Sequence, residues 1–511
     1  MPRLLHGMDI TPDTIRDARN GMAARAADVP LGFAVAQPLD TRRFDFLLPG
    51  LQEDPANLLR VARKTRDDLV ELGSAMGTVF GGDANIPAAY TYFGQFVDHD
   101  ITLESSSATG SQLVAPDLTP LPLARIREET LNLRTGALDL DSVYGLPAPQ
   151  DGARMRIGKV SESGSRPRNK DDFNDLPRRR RIPDDPERDR EALIGDPRND
   201  ENLIVAQLHL AFLRAHNELV DRGNSFRGAR RLLRQHYQHI VIHDFLKRIV
   251  DPQIVDETIA LNRVYDPAED NLFMPLEFSV AAYRFGHSMV RGNYDFNVNF
   301  QPATLEQLFT FTALSGQLGD FDTLPELWII QWENFVDAGV PFTKARSIDT
   351  KLVEPLEHLR NLTGGEVAGL AKRLAVRNLL RGYLLRIPTG QAVARALKEK
   401  LQGVRDIPVL GPNRIRQGVD SEGQVQVLEE AGFLERTPLW YYILAEAMEV
   451  GGGQRLGPVG GTIVAEVLVG LVRRSANSIL RQENWQPSLP SAQPGKFTLK
   501  DLLNFAGVLP R

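Results

Sequence analysis

Apolar positions recur with a helical period over most of the chain. "NLIVAQLHLAFLRAHNELVDR" (202–222), "RRLLRQHYQHIVIHDFLKRIV" (230–250), "PLEFSVAAYRFGHSMVRG" (275–292) and "GTIVAEVLVGLVRRSANSIL" (461–480) each bring apolar residues round at threes and fours. That is the period of an α-helix with a buried face. Alternating segments between turn signals are scarce, so the fold is expected to be mainly α with little β. The most polar stretch, "SESGSRPRNKDDFNDLPRRRRIPDDPERDRE" (161–191), mixes both charge signs with several prolines. It reads as a long surface loop. Its arginine run, Arg178 to Arg181, is offset by nearby Asp and Glu and reads as a solvated charge cluster.

Composition narrows the chemistry. The chain has 511 residues, 60 of them basic and 66 acidic, for a formal charge of -6, which gives no reason to expect a nucleic-acid partner. With no cysteine there can be no disulfide, thiolate metal site or cysteine nucleophile, so metal chemistry falls to His, Asp, Glu or a bound cofactor. The opening residues lack an apolar signal core, and no run approaches the ~20 apolar residues of a membrane span. A soluble protein is expected, either cytoplasmic or exported without a cleaved signal.

Three clusters then stand out. In "YFGQFVDHDITLE" (92–104), Gln95 and His99 lie at i and i+4 on one helical face, with Asp98 beside that face and Phe93, Phe96 and Val97 packing around it. Alone, this motif reads better as a buried histidine with ordinary hydrogen-bond partners. In "GDPRNDENLIVAQLHLAFLRAHNELVDR" (195–222), Arg198 and Glu201 fall at i and i+3 where a turn becomes a long helix. Both can point into a cavity there, or they form a helix-start ion pair worth well under about 1 kcal/mol. In "AAYRFGHSMVRGNYDF", His287 follows Gly286. The missing side chain lets a flat cofactor approach, or lets two helices pack closely.

Together and in this order, the clusters resemble the animal-type haem peroxidases of the peroxidase-cyclooxygenase superfamily. The resemblance runs from about Phe44 to about Asn484, which leaves 1–43 as an extension expected to pack on a catalytic domain at 44–511. It is carried by Gln95, Asp98, His99 and Asp100, then "LDLDSVYG" (138–145), "GDPRNDE" (195–201), "YRFGH" (283–287), "RNLLRGYLLRIP" (377–388) and "RLGPVGGTIVAEVL" (455–468). The resemblance implies a helical domain with haem b held between a distal and a proximal helix. It also implies reduction of hydrogen peroxide through a ferryl haem, with oxidation of halide, thiocyanate or phenolic donors. His287 would be the iron ligand, with Asn378 on its other ring nitrogen. His99 would be the distal base, suited by an ordinary pKa of about 6.5, with Arg198 supplying positive charge and Gln95 lining the pocket. Asp98 and Glu201 would be competent for ester links to haem. Asn202, where some relatives carry methionine, argues against a third link.

The same resemblance implies calcium beside the distal histidine, bound by Asp100 with Thr135, Asp139 and Asp141 side chains and the Ala137 carbonyl, a hard-oxygen set. Other features are discounted. His236, His239 and His243 lack the order of a zinc hydrolase and read as incidental on an amphipathic helix. His209 and His216 read as packing or surface residues. "GGGQRLGPVGGT" lacks the lysine of a phosphate loop and reads as a turn with tight helix packing. A fatty-acid oxygenase of the same superfamily would carry its tyrosine three residues before the proximal histidine, where this chain has Arg284. A catalytically inactive interaction module is disfavoured by the retention of His99, Arg198, Glu201 and His287. The absence of cysteine suggests a bacterial or otherwise cytosolic relative.

Overall fold

The computed structural model describes residues 43–509, apart from 78–80, 106–112, 146–149, 164–171, 186–187, 268–271, 311, 313–317, 319, 360–366 and 476. Apart from Arg43, the extension expected to pack on the domain lies outside the described residues. One apolar core runs from Phe44 to Leu509, and it is built mainly from helices. Those that frame the site are α1 (Arg63–Ala75), α2 (Ala89–Ile101), α3 (Leu203–Asp221), α4 (Phe226–His239), α5 (Leu374–Leu384), α6 (Leu439–Gly451) and α7 (Pro458–Arg474).

The central pair is α2 and α3. On α2, Phe93, Phe96 and Val97 are fully buried, and Phe96 stacks on Phe212 of α3 with ring centroids 4.6 Å apart. Most of α3 is buried right round its circumference, which marks a helix inside the core rather than on its surface. Its start is specified locally, because the Asn202 side chain accepts from the Val205 N–H at 3.0 Å, an N-cap. Gly73 lets α1 approach α5: a Cβ there would lie 2.8 Å from the Val376 backbone.

Strand content is small, as expected. β1 (Arg43–Asp45), β2 (Glu104–Ser105), β3 (Leu131–Asn132) and β4 (Phe273–Pro275) form one sheet in the order β2-β3-β1-β4. β1 pairs parallel with β4 through Phe44 and Met274, and antiparallel with β3 through Arg43 and Leu131. The sheet ties the segment after α2 to the segment that leads into His287.

Two helical expectations are modified. The 275–292 stretch is not one α-helix but a π-helical turn, Glu277–Ala281, followed by a 3-10 helix, Ala282–His287. The register breaks at Ala281, whose φ of -126° and ψ of -71° leave the α region. α4 likewise continues as a π-helix, Ile240–Phe245, before Leu246–Ile249, so His243 falls out of step with His236. The glycine-rich turn behaves as expected. Gly452 and Gly453 have positive φ, Pro458 opens α7, and a Cβ at Gly460 would lie 2.6 Å from Ile443 of α6. Among the described residues, no helix is long and apolar enough to cross a membrane.

Two polar expectations are corrected. Arg178 is not solvated: it is buried between Asp175 and Asp200, with bonds of 2.7 to 3.0 Å to both. Removed from water, its charge needs both carboxylates, and the pair fastens the 161–191 loop to the turn before α3. His236 is not incidental. It donates from Nδ1 to the Leu232 carbonyl at 2.7 Å, and its Nε2 accepts from the Ser488 and Leu489 N–H groups at 3.0 and 3.1 Å. Burial pushes its pKa down to about 4.

That histidine has a pH consequence. A group with a folded-state pKa below its ordinary 6.5 binds fewer protons when folded, so its contribution is full above pH 6.5 and lost as pH falls through 4. The loss is on the order of 3 kcal/mol. Hydrogen exchange at Ser488 and Leu489 is expected to accelerate between pH 6.5 and 4 in the parent and to be already fast in His236→Phe. An identical pH profile in the two proteins would dispose of the idea.

Candidate active site

α2 presents Gln95, Asp98 and His99 within one turn. His99 is fully buried, and its Nδ1 lies 2.8 Å from Asn199 Oδ1. With the carbonyl oxygen of Asn199 accepting from Nδ1–H, the lone pair is placed on Nε2, which lies 3.7 Å from Glu201 Oε1. Asn199 Nδ2 in turn lies 2.9 Å from His209 Nδ1. Burial pushes His209 down to about 3, so it stays neutral and can accept from the amide. Asn199 and His209 were not singled out as partners of His99. Only the meeting of α2 with the turn before α3 brings them together.

Glu201 is buried, and its Oε1 is in contact with Gln95 Nε2. Asn202 Nδ2 donates to Gln95 Oε1 at 3.2 Å, so Gln95 bridges Glu201 and Asn202. Asp98 accepts from the Thr102 hydroxyl at 2.9 Å. Burial raises its pKa, against the opposing charges of Arg198 and Arg284.

Arg198 does not take the expected direction. Its Nη2 donates to the His99 carbonyl at 3.0 Å, to the Thr102 carbonyl at 2.6 Å and to Asp196 at 2.8 Å, and its Nε donates to Asp196 at 3.1 Å. The reason is electrostatic. The last carbonyls of α2 carry the negative end of the helix dipole. Asp196, though buried, is held well below the usual carboxylate range by Arg134 and Arg198. Both attract the guanidinium away from the space that Gln95, Asp98 and Glu201 border.

The arginine that does border that space is Arg284. Its Nε is buried without a hydrogen-bond partner among the described residues. Its surroundings include the opposing charges of Asp98 and Glu104 and the like charge of Arg381, and burial pushes its pKa down. Arg381 is fixed by Glu104 at 2.7 Å.

On the facing wall, His287 ends the 3-10 segment. Its Nδ1 lies 2.8 Å from the Asn378 amide on α5, and Trp440 of α6 meets its ring edge to face at 6.5 Å. An amide turned to offer Oδ1 would hold the proton on Nδ1 and leave Nε2 as the donor atom for a metal. A Cβ at Gly286 would meet nothing within 4 Å, so open space adjoins the histidine. Gln95, Asp98, Glu201, Arg284 and His287 therefore border one slot, whose remaining walls include Leu305, Phe309, Leu356 and Leu374. As it stands the slot holds about 90 Å³.

The calcium residues are close together but not convergent. Asp100 accepts from the Leu140 and Ser142 N–H groups at 3.1 and 3.0 Å, while Asp141 faces Arg134 at 3.7 Å and Asp139 faces Arg234 at 4.0 Å. Burial lifts Asp100 to about 6 and Asp139 to about 8, with Asp141 adding to both. Asp139 Oδ1 and Thr135 Oγ1 are buried without hydrogen-bond partners among the described residues. Ala137 lies in the turn between them. Among the described residues, no group of three or more His, Cys, Asp or Glu is arranged to hold a metal ion. That includes His236, His239 and His243.

The domain is thus mainly helical, with His287 and its Asn378 partner on one wall of the slot, while His99 and its Asn199 partner lie outside that lining, 3.7 Å from the bordering Glu201. Residues 74–323, just under half of the chain, match the animal haem peroxidase family model. The chain is 29% identical over 283 residues to a peroxidase-like protein of Margaritifera margaritifera, covering 44% of this chain and 34% of that one. It is also 29% identical over 149 residues to a chorion peroxidase of Aedes aegypti, covering 25% and 19%. The chain thus spans about a third or less of the length of these curated relatives. Among solved structures, peroxidase A from Dictyostelium discoideum superimposes with a TM-score of 0.54 at 18% identity, covering 80% of this chain and 83% of that one. A fatty acid alpha-dioxygenase of Oryza sativa does so at 0.54 and 14%, covering 82% and 74%. These likenesses concern the fold.

Proposed function

We propose that the chain is a haem-dependent peroxidase that reduces hydrogen peroxide and oxidises small donors, phenols or anions such as halide and thiocyanate. The observation that carries this reading is His287 with its Nδ1 on the Asn378 amide, facing the slot that Glu201 and Gln95 border on the other side. The donor set fits haem b. His287 would ligate iron, and Asn378 would set its tautomer. The orphaned Arg284 and its neighbour Arg381 would receive the acidic edge of the macrocycle. Asp98 and Glu201 would offer carboxylates for ester links.

When bound, haem iron supplies the electrons that split the O–O bond of peroxide. The chain's own part is proton handling. His99 Nε2 takes the peroxide proton and returns it to the departing oxygen, while Asn199 holds the opposite nitrogen protonated. Gln95 holds Glu201 in place. Arg198, committed to the His99 carbonyl and Asp196, acts by fixing the end of α2. The oxygenase alternative is not adopted, because Arg284 occupies the position where that chemistry needs tyrosine. Calcium fits the oxygen chemistry of Asp100, Asp139, Asp141 and Thr135 but not their arrangement, so no step is assigned to it.

The test is the absorption spectrum of the purified protein before and after a small excess of peroxide, then acidified-acetone extraction and metal analysis of the same sample. A Soret band that shifts with peroxide is expected. Haem retained in the pellet would mark the esters, and stoichiometric calcium would mark that site. No Soret band after haem is supplied would sink the proposal.

A further inference from the structure

Three tyrosines border the slot: Tyr90, Tyr92 and Tyr283. They differ in where a phenolic proton could go. Tyr283 donates to the Gly94 carbonyl at 3.2 Å, and a backbone carbonyl is too weak a base to take the proton away. The Tyr92 hydroxyl is buried beside the phenol of Tyr294, which is no base for its proton. Tyr90 donates to a carboxylate, Asp244 Oδ2, at 2.6 Å. That carboxylate is held in place by Arg248 Nε at 2.7 Å on its other oxygen and by the Leu499 N–H at 2.9 Å. Burial raises the Tyr90 pKa well above its usual value, and the Asp244 charge adds to the effect. The phenol therefore stays neutral, and losing an electron requires losing its proton as well.

Tyr90 also stands between two spaces. It lies two turns before Asp98 on α2, about 12 Å along the axis. On its other side the Arg248 guanidinium packs over its ring, 4.3 Å from the centroid, with the Arg248 side chain 35% exposed. Arg248 lines a surface cleft of about 760 Å³ with Asn85, Ile86, Lys247 and Gln253.

We propose that Tyr90 is a redox relay, passing an oxidising equivalent from the slot to phenolic donors in the cleft beside Arg248 that are too large to enter the slot. The inference rests on the peroxidase reading. In the first step Tyr90 gives one electron to the peroxide-oxidised cofactor. Its O–H bond breaks, the proton forms a bond to Asp244 Oδ2, and a neutral tyrosyl radical remains. In the second step a phenol in the cleft gives one electron to that radical. Asp244 returns its proton to the Tyr90 oxygen, the donor's own proton goes to solvent, and a phenoxyl radical leaves.

The experiment uses haem-loaded full-length protein, freeze-quenched after peroxide for electron paramagnetic resonance. It is paired with rates for a free small phenol and for a phenol coupled to dextran. The parent is expected to give a tyrosyl signal and to oxidise both donors. Tyr90→Phe is expected to lose at least fivefold of the signal and tenfold of the dextran-phenol rate, while the free-phenol rate changes less than twofold. Asp244→Asn, which keeps the tyrosine and removes the base, is expected to match it. A dextran-phenol rate unchanged in both variants overturns the relay, as does a normal Soret response with no tyrosyl signal in the parent. A parent with no Soret response indicts the peroxidase reading instead.

Discussion

His287→Ala is expected to abolish stable haem binding, so that haem titration yields no stoichiometric Soret band while far-UV circular dichroism keeps its helical signature. In the proposed reading His287 is the iron ligand. It lies at the end of a 3-10 segment whose anchoring is independent of its imidazole, because Tyr283 and Phe285 are buried and Tyr283 stacks on Phe278 at 4.7 Å. Losing the ligand should therefore cost affinity rather than fold. The loss should exceed the 10- to 100-fold typical of removing an outer partner of a metal ligand. Asn378→Leu is expected to show that smaller effect, because it leaves the imidazole but frees its tautomer. Normal haem uptake by His287→Ala would place the ligand elsewhere.

His99→Ala is expected to keep haem but slow the reaction with peroxide by about 10²- to 10⁴-fold, the range typical of a positioned acid–base group. The argument is geometric. Asn199 Oδ1 at 2.8 Å fixes Nδ1 as the protonated nitrogen, which leaves Nε2 as the base on the side of Glu201. The ring is wholly enclosed, so water does not readily replace it. Stopped-flow recording of the Soret change on mixing with peroxide reads the rate directly. A variant as fast as the parent would falsify the assignment of His99 as the base.

The mainly helical fold and most of the site were legible in the chain. The apolar period marks α3 and α7 wherever they end up, and the Asn202 cap is a local matter settled within three residues. Gln95, Asp98 and His99 share a face of α2 because of helix geometry alone, and Glu201 follows its turn in the same way. The family resemblance supplied the pairing of His287 with Asn378, a juxtaposition that no local spacing encodes. Where local patterns were asked about direction, they failed. Charge counting placed Arg178 in solvent, although Asp200 was only 22 positions away in the chain. Periodicity ran a single helix through Ala281, where the backbone leaves the α region.

By itself the sequence determined which residue types were available and which faces were apolar, since both follow from composition and a 3.6-residue period. It determined that no cysteine carries metal or proton chemistry, which falls to His, Asp, Glu or a bound cofactor. Only the tertiary structure decided which polar groups meet. It turned Arg198 onto the carbonyls of α2 and Asp196, and it put Arg284 rather than Arg198 beside the slot. It also set Asn199 between His99 and His209, and gave the Tyr90 phenol a carboxylate from a residue 154 positions away. Arg284 apart, whose Nε is left without a partner among the described residues, the physical reason is common. A buried polar group must find a partner, and which partner it finds depends on distances between elements remote in the chain.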